Sequence, residues 1–314
     1  MSDLPATVII QEEGPREGFQ IEGPIPTARK VELIDRLSDT GLKHIQVTSF
    51  VSPTRVPGTA DAEQVVAGIT RRPGVSYTGL WLNDKGLRRA IATERLDVRG
   101  GINLCASPTF LARNQNRTMQ ENLEAQRHML QVYSQLGVEV NMGAVMAAFG
   151  CNFEGEISPA TVVLLVGQLL DLASEAEVKL EYVAICDTMA WATPPSIERV
   201  IGAVREKWPE LELSLHLHDT RGMAIADAWT GLQMGVRRFD AAVAGLGGCP
   251  FAAHKGAAGN ICTEDLVLLC EEAGIRTGID LENLLEVAHL AEDIVGHPLP
   301  GAVKTGGPLR KRSV

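Results

Sequence analysis

The feature that most constrains the fold is a regular alternation of short apolar segments and longer amphipathic segments along the whole chain. Eight short segments are rich in β-branched residues and have the length of strands, and each is followed by a segment with helical length and periodicity. Repeated strand–helix units imply a parallel sheet, because each helix returns the chain to the edge where the next strand starts. Eight such units in 314 residues predict an α/β fold of the closed TIM (β/α)8 barrel type.

The expected elements cover most of the chain. The predicted strands are 6–11, 44–49, 75–81, 98–105, 138–147, 178–186, 211–217 and 238–244. The predicted helices are 27–40, 60–70, 84–93, 118–136, 158–173, 194–207, 224–234 and 263–273. We predict one domain, with the barrel at about residues 6–275 and a helix near 280–295 within an appended C-terminal segment, 276–314. In such barrels the active site lies at the carboxyl ends of the strands, so chemistry is expected just after each strand.

Two histidines stand at the end of the seventh predicted strand. Side chains two residues apart in a strand point to the same side, so His216 and His218 project from one face. Two neighbouring imidazoles on a rigid strand supply two ligands for a divalent metal ion. The alternative is a pair of unrelated histidines on a solvated strand face. Further ligands must come from elsewhere in the chain to decide between the two.

The segment after the first predicted strand pairs a cation with a carboxylate between glycines. Glu17 can supply an oxygen ligand to a hard divalent ion, and Arg16 can neutralise a developing oxyanion. A surface ion pair in a turn is the alternative interpretation. Asp187 ends the sixth predicted strand, where it suits acid–base chemistry or the N-cap of the following helix.

The loops after the remaining strands carry polar groups suited to a polar or phosphorylated ligand. The predicted loop after the fourth strand contains amide and cationic donors, and the loop after the second is polar and bent by prolines. The segment 244–260 is rich in glycine, which predicts a mobile lid. It carries a thiol, Cys249, and an amide, Asn260, whose carbonyl oxygen can complete a metal shell.

These motifs together resemble those of the 3-hydroxy-3-methylglutaryl-CoA lyase family, within the DRE-TIM metallolyase superfamily. The resemblance runs from about Val8 to Ile294 and rests on the following segments: Gly14-Pro15-Arg16, Thr48-Ser49-Phe50-Val51-Ser52-Pro53, Gly150-Cys151 with Glu154-Gly155, Asp187-Thr188, His216-x-His218-Asp219-Thr220, and Gly245-Leu246-Gly247-Gly248-Cys249-Pro250 through Gly259-Asn260. It implies a TIM barrel that binds Mg²⁺ or Mn²⁺ and cleaves a 3-hydroxyacyl-CoA to acetyl-CoA and a keto acid.

The resemblance also implies roles for individual residues. The metal ligands would be Glu17, His216, His218 and Asn260. Arg16 would stabilise the enolate oxygen of the thioester, Cys249 would exchange a proton with the acetyl carbon, and Asp187 would belong to the acid–base set. We assign substrate binding to Gln20, Gln46, Ser49, Ser107 and Asn114.

Several positions depart from the family pattern. Lyases of this family usually have Asp where this chain has Glu17, and Glu where it has Gln46. The tract that begins at Gln20 lacks the usual Asn and Lys, and Arg221 and Met223 replace the common Tyr and Gln. The lid is about two residues longer than expected, with His254-Lys255 as the insertion. These departures concern the identity of the acyl substrate more than the chemistry.

Overall charge and composition restrict the partners. A formal net charge of -10 and a pI near 5.3 argue against nucleic acid or an anionic membrane as the main partner. We see no secretory signal and no apolar run of membrane-spanning length. The six cysteines are scattered without a CxxC pair, which predicts free thiols in a reducing cytoplasm. The family suggests a homodimer.

Three functional hypotheses follow. The leading one is a metal-dependent lyase acting on 3-hydroxy-3-methylglutaryl-CoA or a related branched 3-hydroxyacyl-CoA. The second is a Claisen-type synthase that condenses acetyl-CoA with a 2-oxo acid. Glu17 supports this hypothesis, because the homocitrate synthase branch of the superfamily has Glu at that position. The third is a non-catalytic barrel that binds a metal or CoA, which is supported by Gln46 in place of the usual Glu.

Overall fold

Eight parallel strands in one curled sheet form the frame of the molecule. The computed structural model describes residues 4–247 and 259–309. The sheet strands are Ile9–Glu12 (β1), His44–Ser49 (β2), Ser76–Leu80 (β3), Gly100–Cys105 (β4), Val140–Met146 (β5), Tyr182–Asp187 (β8), Leu213–Leu217 (β9) and Arg238–Ala241 (β10). A separate antiparallel hairpin consists of Gly150–Cys151 (β6) and Gly155–Glu156 (β7).

The pairing order identifies the architecture. Parallel pairs run from β3 through β2, β1, β10, β9, β8 and β5 to β4. The first sheet strand therefore lies beside the last one, as it does in a barrel in which each strand follows its neighbour around the circle. The predicted TIM barrel is confirmed.

Helices connect the strands and bury their apolar faces against the sheet. Their bounds are Gly14–Glu17 (α1), Thr27–Ser38 (α2), Ala62–Gly68 (α3), Asp84–Ala92 (α4), Pro108–Gln115 (α5), Met119–Gln135 (α6), Pro159–Glu175 (α7), Pro194–Lys207 (α8), Ala224–Gln233 (α9), Thr263–Glu272 (α10), Leu281–Val295 (α11) and Val303–Gly306 (α12). In the described ranges, no helix has both the length and the apolar character needed to cross a bilayer. The predicted appended helix is α11, which packs against α2 and the turn after β10.

The core lies between the sheet and its helices. Val183 and Ile185 of β8 are buried, and Val166 and Leu169 of the neighbouring helix α7 are buried in the same apolar cluster. Strands of this kind are apolar over most of their length because helices cover their outer face. The polar interior of the barrel mouth is therefore an exception that points to function.

The predicted loop after the fourth strand is partly wrong, because residues 108–115 form helix α5. The hydroxyl oxygen of Ser107 accepts a hydrogen bond from the amide of Phe110, and Pro108 occupies the first helical turn. Asn116 ends the helix in the left-handed conformation, with φ of 54°. Ser107, Pro108 and Asn116 are all visible in the sequence as helix-end signals, but the many polar residues of this segment favoured a loop.

The segments after the first and last strands also differ from the prediction. Glu17 belongs to the short helix α1, where a loop was expected. The last strand ends at Ala241, and the chain then turns through Val243–Gly245. The carboxylate of Glu12 holds this turn, since its Oε1 accepts from the amide of Val243 at 2.9 Å. A buried side chain from a distant part of the chain therefore sets where the strand ends.

Candidate metal centre at the barrel mouth

One carboxylate and two imidazoles meet at the carboxyl ends of β1 and β9. Nε2 of His218 lies 2.9 Å from Oε1 of Glu17, and Nε2 of His216 lies 3.8 Å from Oε2 of the same carboxylate. The two ring centroids are 5.1 Å apart. Ligand atoms of all three residues lie within 4.8 Å of one another. The strand end and the first turn of α1 thus bring together residues separated by about two hundred positions in sequence.

Each histidine is oriented through its second ring nitrogen. Nδ1 of His218 donates to the carbonyl oxygen of Thr188 at 2.8 Å, and Nδ1 of His216 lies 3.0 Å from Oδ2 of Asp240. Both Nε2 atoms therefore face Glu17. A carbonyl or carboxylate behind the ring is the usual arrangement for metal-binding histidines.

Asn260 joins the cluster through the backbone. It forms a bridge with His218, and the segment is held because the amide of Ile261 donates to the carbonyl of Leu217 at 2.8 Å. Its side chain is 1% exposed, and within the described ranges neither its Oδ1 nor its Nδ2 has a hydrogen-bond partner. A buried amide without partners is costly, so this side chain is suited to a ligand.

Arg16 is the cation of the cluster. Its Nη1 lies 2.8 Å from Oε2 of Glu17, and its other nitrogens donate to Glu13 and Gln46. Glu13, Glu17 and Asp240 are acidic, so carboxylates outnumber the single guanidinium.

The pKa values reflect this excess of negative charge. Burial opposes ionisation of Glu17, but Arg16 and His216 hold the pKa of its carboxyl well below the usual range. Burial likewise disfavours the imidazolium of His216, but the neighbouring carboxylates of Glu17, Asp240 and Glu13 raise its pKa to about 9. The site therefore attracts positive charge.

The donor set fits a divalent cation. Carboxylate and amide oxygens with imidazole nitrogens are ligands that Mg²⁺ and Mn²⁺ accept. The amide of Asn260, which has no hydrogen-bond partner among the residues that the structure describes, and the excess of carboxylates are two independent observations in favour of such an ion.

Asp187 lies at the end of β8, close to the histidines. Its Oδ1 accepts from the amides of Trp191 and Ala192 at 2.7 Å and 3.0 Å, so it holds a turn. It is not the predicted helix N-cap, since Thr193 precedes α8. Its Oδ2 is buried without a hydrogen-bond partner among the described residues, and burial raises the pKa of the carboxyl to about 6.

The predicted substrate-binding residues are spread over the mouth. Gln46 contacts the cluster by accepting a hydrogen bond from Arg16. Ser49 is buried at the end of β2, and its Oγ has no partner in the described part of the chain. Ser107 uses its hydroxyl to cap α5 and lies 2.9 Å from Sγ of Cys151. Asn114 is half-buried on α5, and Gln20 donates to the carbonyl of Glu17 at 3.4 Å.

Cys249 and the proposed insertion His254-Lys255 lie outside the described residues. Their predicted roles therefore stay predictions.

Two contributing residues were not predicted. Asp240 lies within β10, directly beside His216 in the strand register, and Glu13 follows β1. Site residues were expected after the strand ends, whereas Asp240 lies inside a strand. The acidic side chain of Asp240 between Phe239 and Ala241 was the available signal that this residue is unusual, although it does not identify His216 as its partner.

A (β/α)8 barrel with a carboxylate, two histidines and an amide at its mouth defines a TIM-barrel protein with a candidate site for a divalent cation. The family model described as HMGL-like matches residues 7–291. The chain belongs to this family, as its motifs predicted.

Relatives and solved structures agree with this assignment. A mitochondrial hydroxymethylglutaryl-CoA lyase of Bos taurus is 41% identical over 284 residues, covering 90% of this chain and 84% of the relative. Hydroxymethylglutaryl-CoA lyase YngG of Bacillus subtilis is 37% identical over 305 residues, covering 94% and 96%. A structure of an HMG-CoA lyase of Acinetobacter baumannii with coenzyme A and 3-methylmalate superimposes with a TM-score of 0.87 at 37% identity, covering 98% and 97%.

Proposed function

We propose that this protein is a divalent-cation-dependent carbon–carbon lyase that cleaves 3-hydroxy-3-methylglutaryl-CoA, or a related branched 3-hydroxyacyl-CoA, to acetyl-CoA and a keto acid. The observation that carries the proposal is the cluster of Glu17, His216 and His218 beside Arg16, in a chain similar to lyases over most of its length. The structural relative with bound coenzyme A supports an acyl-CoA substrate.

The cation would be held by Glu17, His216, His218 and Asn260. When bound, such an ion polarises substrate oxygens and eases ionisation of the hydroxyl group. The protein contributes the orientation of the ligands: Thr188 and Asp240 fix the two rings, so little reorganisation accompanies binding.

Asp187 is placed to take part in proton transfer. Its Oδ2, which forms no hydrogen bond with the described residues, can accept the proton of the substrate hydroxyl. A pKa of about 6 suits a base that works close to neutral pH. The bond between the carbinol carbon and the acetyl carbon then breaks. Its electron pair moves onto the thioester as an enolate, and the hydroxyl carbon becomes the carbonyl of the keto acid.

Arg16 suits the enolate that forms. Its side chain is only 12% exposed, so its charge acts where water is largely excluded and electrostatic stabilisation is strong. Protonation of the enolate carbon completes acetyl-CoA, and we assign this step to Cys249.

The test is acetyl-CoA release with Mg²⁺ for the wild type, His218→Ala and Cys249→Ser. We expect His218→Ala to lower kcat/KM at least about 100-fold, the loss typical of removing a catalytic electrostatic contact. His289→Ala, an exposed histidine on α11, is the matched control and keeps the wild-type rate. Unchanged rates in both site variants would contradict the mechanism.

The acyl group and the reaction direction need separate measurements. A panel of branched 3-hydroxyacyl-CoA thioesters defines the substrate by kcat/KM. Incubation with acetyl-CoA and 2-oxo acids, while free thiol is followed, tests the Claisen-type synthase. Thiol release in that assay, without cleavage of any thioester in the panel, would favour the synthase. Binding of metal without any turnover would favour the non-catalytic barrel.

We further propose Mg²⁺ or Mn²⁺ as the physiological ion, a homodimer, and a cytoplasmic location. The donor chemistry supports the ions, and family resemblance and composition support the other two. Calorimetry with each ion, sedimentation analysis and cell fractionation test them in turn.

A further inference from the structure

One edge of the Arg16 guanidinium is shared by two different side chains. Nε donates to Oε1 of Gln46, and Nη2 donates to Oε2 of Glu13. In a guanidinium, the Nε–H bond and one Nη2–H bond point in the same direction and form a fork that matches one carboxylate. At Arg16 an amide and a carboxylate fill this fork together.

Elsewhere in the chain a single carboxylate fills the same fork. The acceptor takes both Nε and Nη2 in the following pairs: Arg72–Asp39 at 2.7 and 3.1 Å, Arg89–Glu63 at 2.7 and 3.0 Å, Arg127–Glu175 at 2.9 and 3.3 Å, and Arg237–Glu212 at 2.8 and 2.9 Å. The divided fork of Arg16 therefore differs from these pairs, and it occurs beside the candidate metal centre.

The side chain of Glu13 is held in position to accept from Arg16. It is 2% exposed, and its second oxygen accepts from Nε2 of Gln11 at 2.8 Å. Both carboxylate oxygens thus have partners, and the charge of Glu13 is matched by Arg16. Gln46, a neutral amide on β2, supplies geometry but no charge.

Anchoring this edge determines where the rest of the guanidinium points. Nη1 lies 2.8 Å from Glu17, which itself contacts His218. The Nη1 end of Arg16 is therefore directed toward the candidate metal centre, where substrate oxygens would lie. If this edge lost its charged acceptor, the neutral amide of Gln46 alone would hold it, and the orientation of the guanidinium would be fixed less firmly.

We propose that Glu13 is a positioning residue for Arg16, and that a carboxylate at position 46 can replace the carboxylate of Glu13 in this role. The catalytic part of this inference rests on the proposed lyase function. The exchange is possible because Glu13, directly after β1, and Gln46, on β2, reach the same fork. One carboxylate at position 46 can take both hydrogen bonds.

The test compares Glu13→Gln, Gln46→Glu and the double exchange variant. We expect Glu13→Gln to lower kcat about tenfold with KM changed by less than about threefold, because charge-assisted bonds orient Arg16 chiefly for the transition state. Gln46→Glu alone places an extra carboxylate against Glu13 and Glu17, and also lowers kcat. The double variant restores kcat to within about threefold of the wild type. Glu63→Gln removes the partner of Arg89 outside the barrel and leaves kcat unchanged.

The melting temperature gives a second readout that needs no turnover. Each single exchange lowers it by about 2–4 °C and the double variant recovers it, because the buried charges balance again. If both single variants match the wild type, or the double variant is no better than Glu13→Gln, the inference is wrong. If the wild type turns over no thioester, the proposed function fails, and the melting temperatures alone decide whether the charges are exchangeable.

Discussion

At the scale of single residues, the meeting of the candidate ligands at one point was predictable, and the residues that support them were not. The strand ends of a barrel converge, so Glu17, His216, His218 and Asn260 could be assigned to one site from sequence. Asp240 could not, because its contact with His216 depends on the register between β9 and β10. Register is a property of the whole sheet, and short local patterns carry little information about it.

Asp240 gives a prediction at this scale. Asp240→Asn removes the charge behind His216, so we expect the affinity for Mn²⁺ to fall about 10–100-fold. Isothermal titration of the metal-free protein measures it. Asp293→Asn, an exposed change on α11, is the matched control and binds Mn²⁺ as the wild type does. Equal affinity of the two variants would show that Asp240 does not orient His216.

At the scale of elements, the sequence pattern located long helices and strands and missed short ones. The helices α1 and α5 and the hairpin β6–β7 lie at the barrel mouth, in segments predicted as loops. Short elements carry too few residues for periodicity to identify them, so capping residues are the better signal. Ser107 with Pro108 at the start of α5 is an example.

Replacing a helix cap separates the two roles considered for Ser107. Ser107→Ala and Ser158→Ala each remove an N-cap, of α5 and α7, and each should lower the free energy of unfolding by about 1 kcal/mol. Denaturant titration measures this loss. Only Ser107→Ala is expected to raise KM, because α5 also carries Asn114. An unchanged KM would show that Ser107 acts only as the N-cap of α5 and not in substrate binding.

The hairpin β6–β7 depends on close contact with Trp191. A Cβ atom at position 150 would lie 2.6 Å from Cδ2 of that ring, so Gly150→Ala must displace it. We expect a loss of about 1–3 kcal/mol in stability, with a changed near-ultraviolet circular dichroism spectrum. Gly202→Ala on α8, where a Cβ atom would meet Cε of Met234 at an ordinary contact distance of 3.8 Å, is the control and should stabilise by about 0.5–1 kcal/mol. Similar stabilities for the two variants would contradict this packing.

At the scale of the whole molecule, the fold followed from sequence because its signals are local and repeated. Eight strand–helix units specify the barrel even when each boundary is approximate. The buried acids that tie distant segments together gave no comparable signal. Glu12 accepts from the amides of Gly14 and Val243 and from the hydroxyl of Thr263, and so joins the first strand to the turn after the last.

Glu12 predicts a pH dependence of stability. Burial raises its pKa from 4.5 to about 7, so the folded state holds a proton that the unfolded state releases. Relative to Glu12→Gln, the free energy of unfolding of the wild type should therefore fall by about 3 kcal/mol as pH rises from about 4.5 to 7. Denaturant titrations across this range measure the difference. A constant difference would show that burial does not raise the pKa of Glu12.

The contact between Gly247 and Gly259 has an evolutionary consequence. A Cβ atom on Gly259 would lie 2.5 Å from Cα of Gly247, so the chain leaves and re-enters the barrel at one point, next to Glu17 and Asn260. Lengthening a loop whose ends already touch costs little additional entropy. Insertions and deletions between these two glycines can thus accumulate during divergence while Glu17 and Asn260 keep their positions.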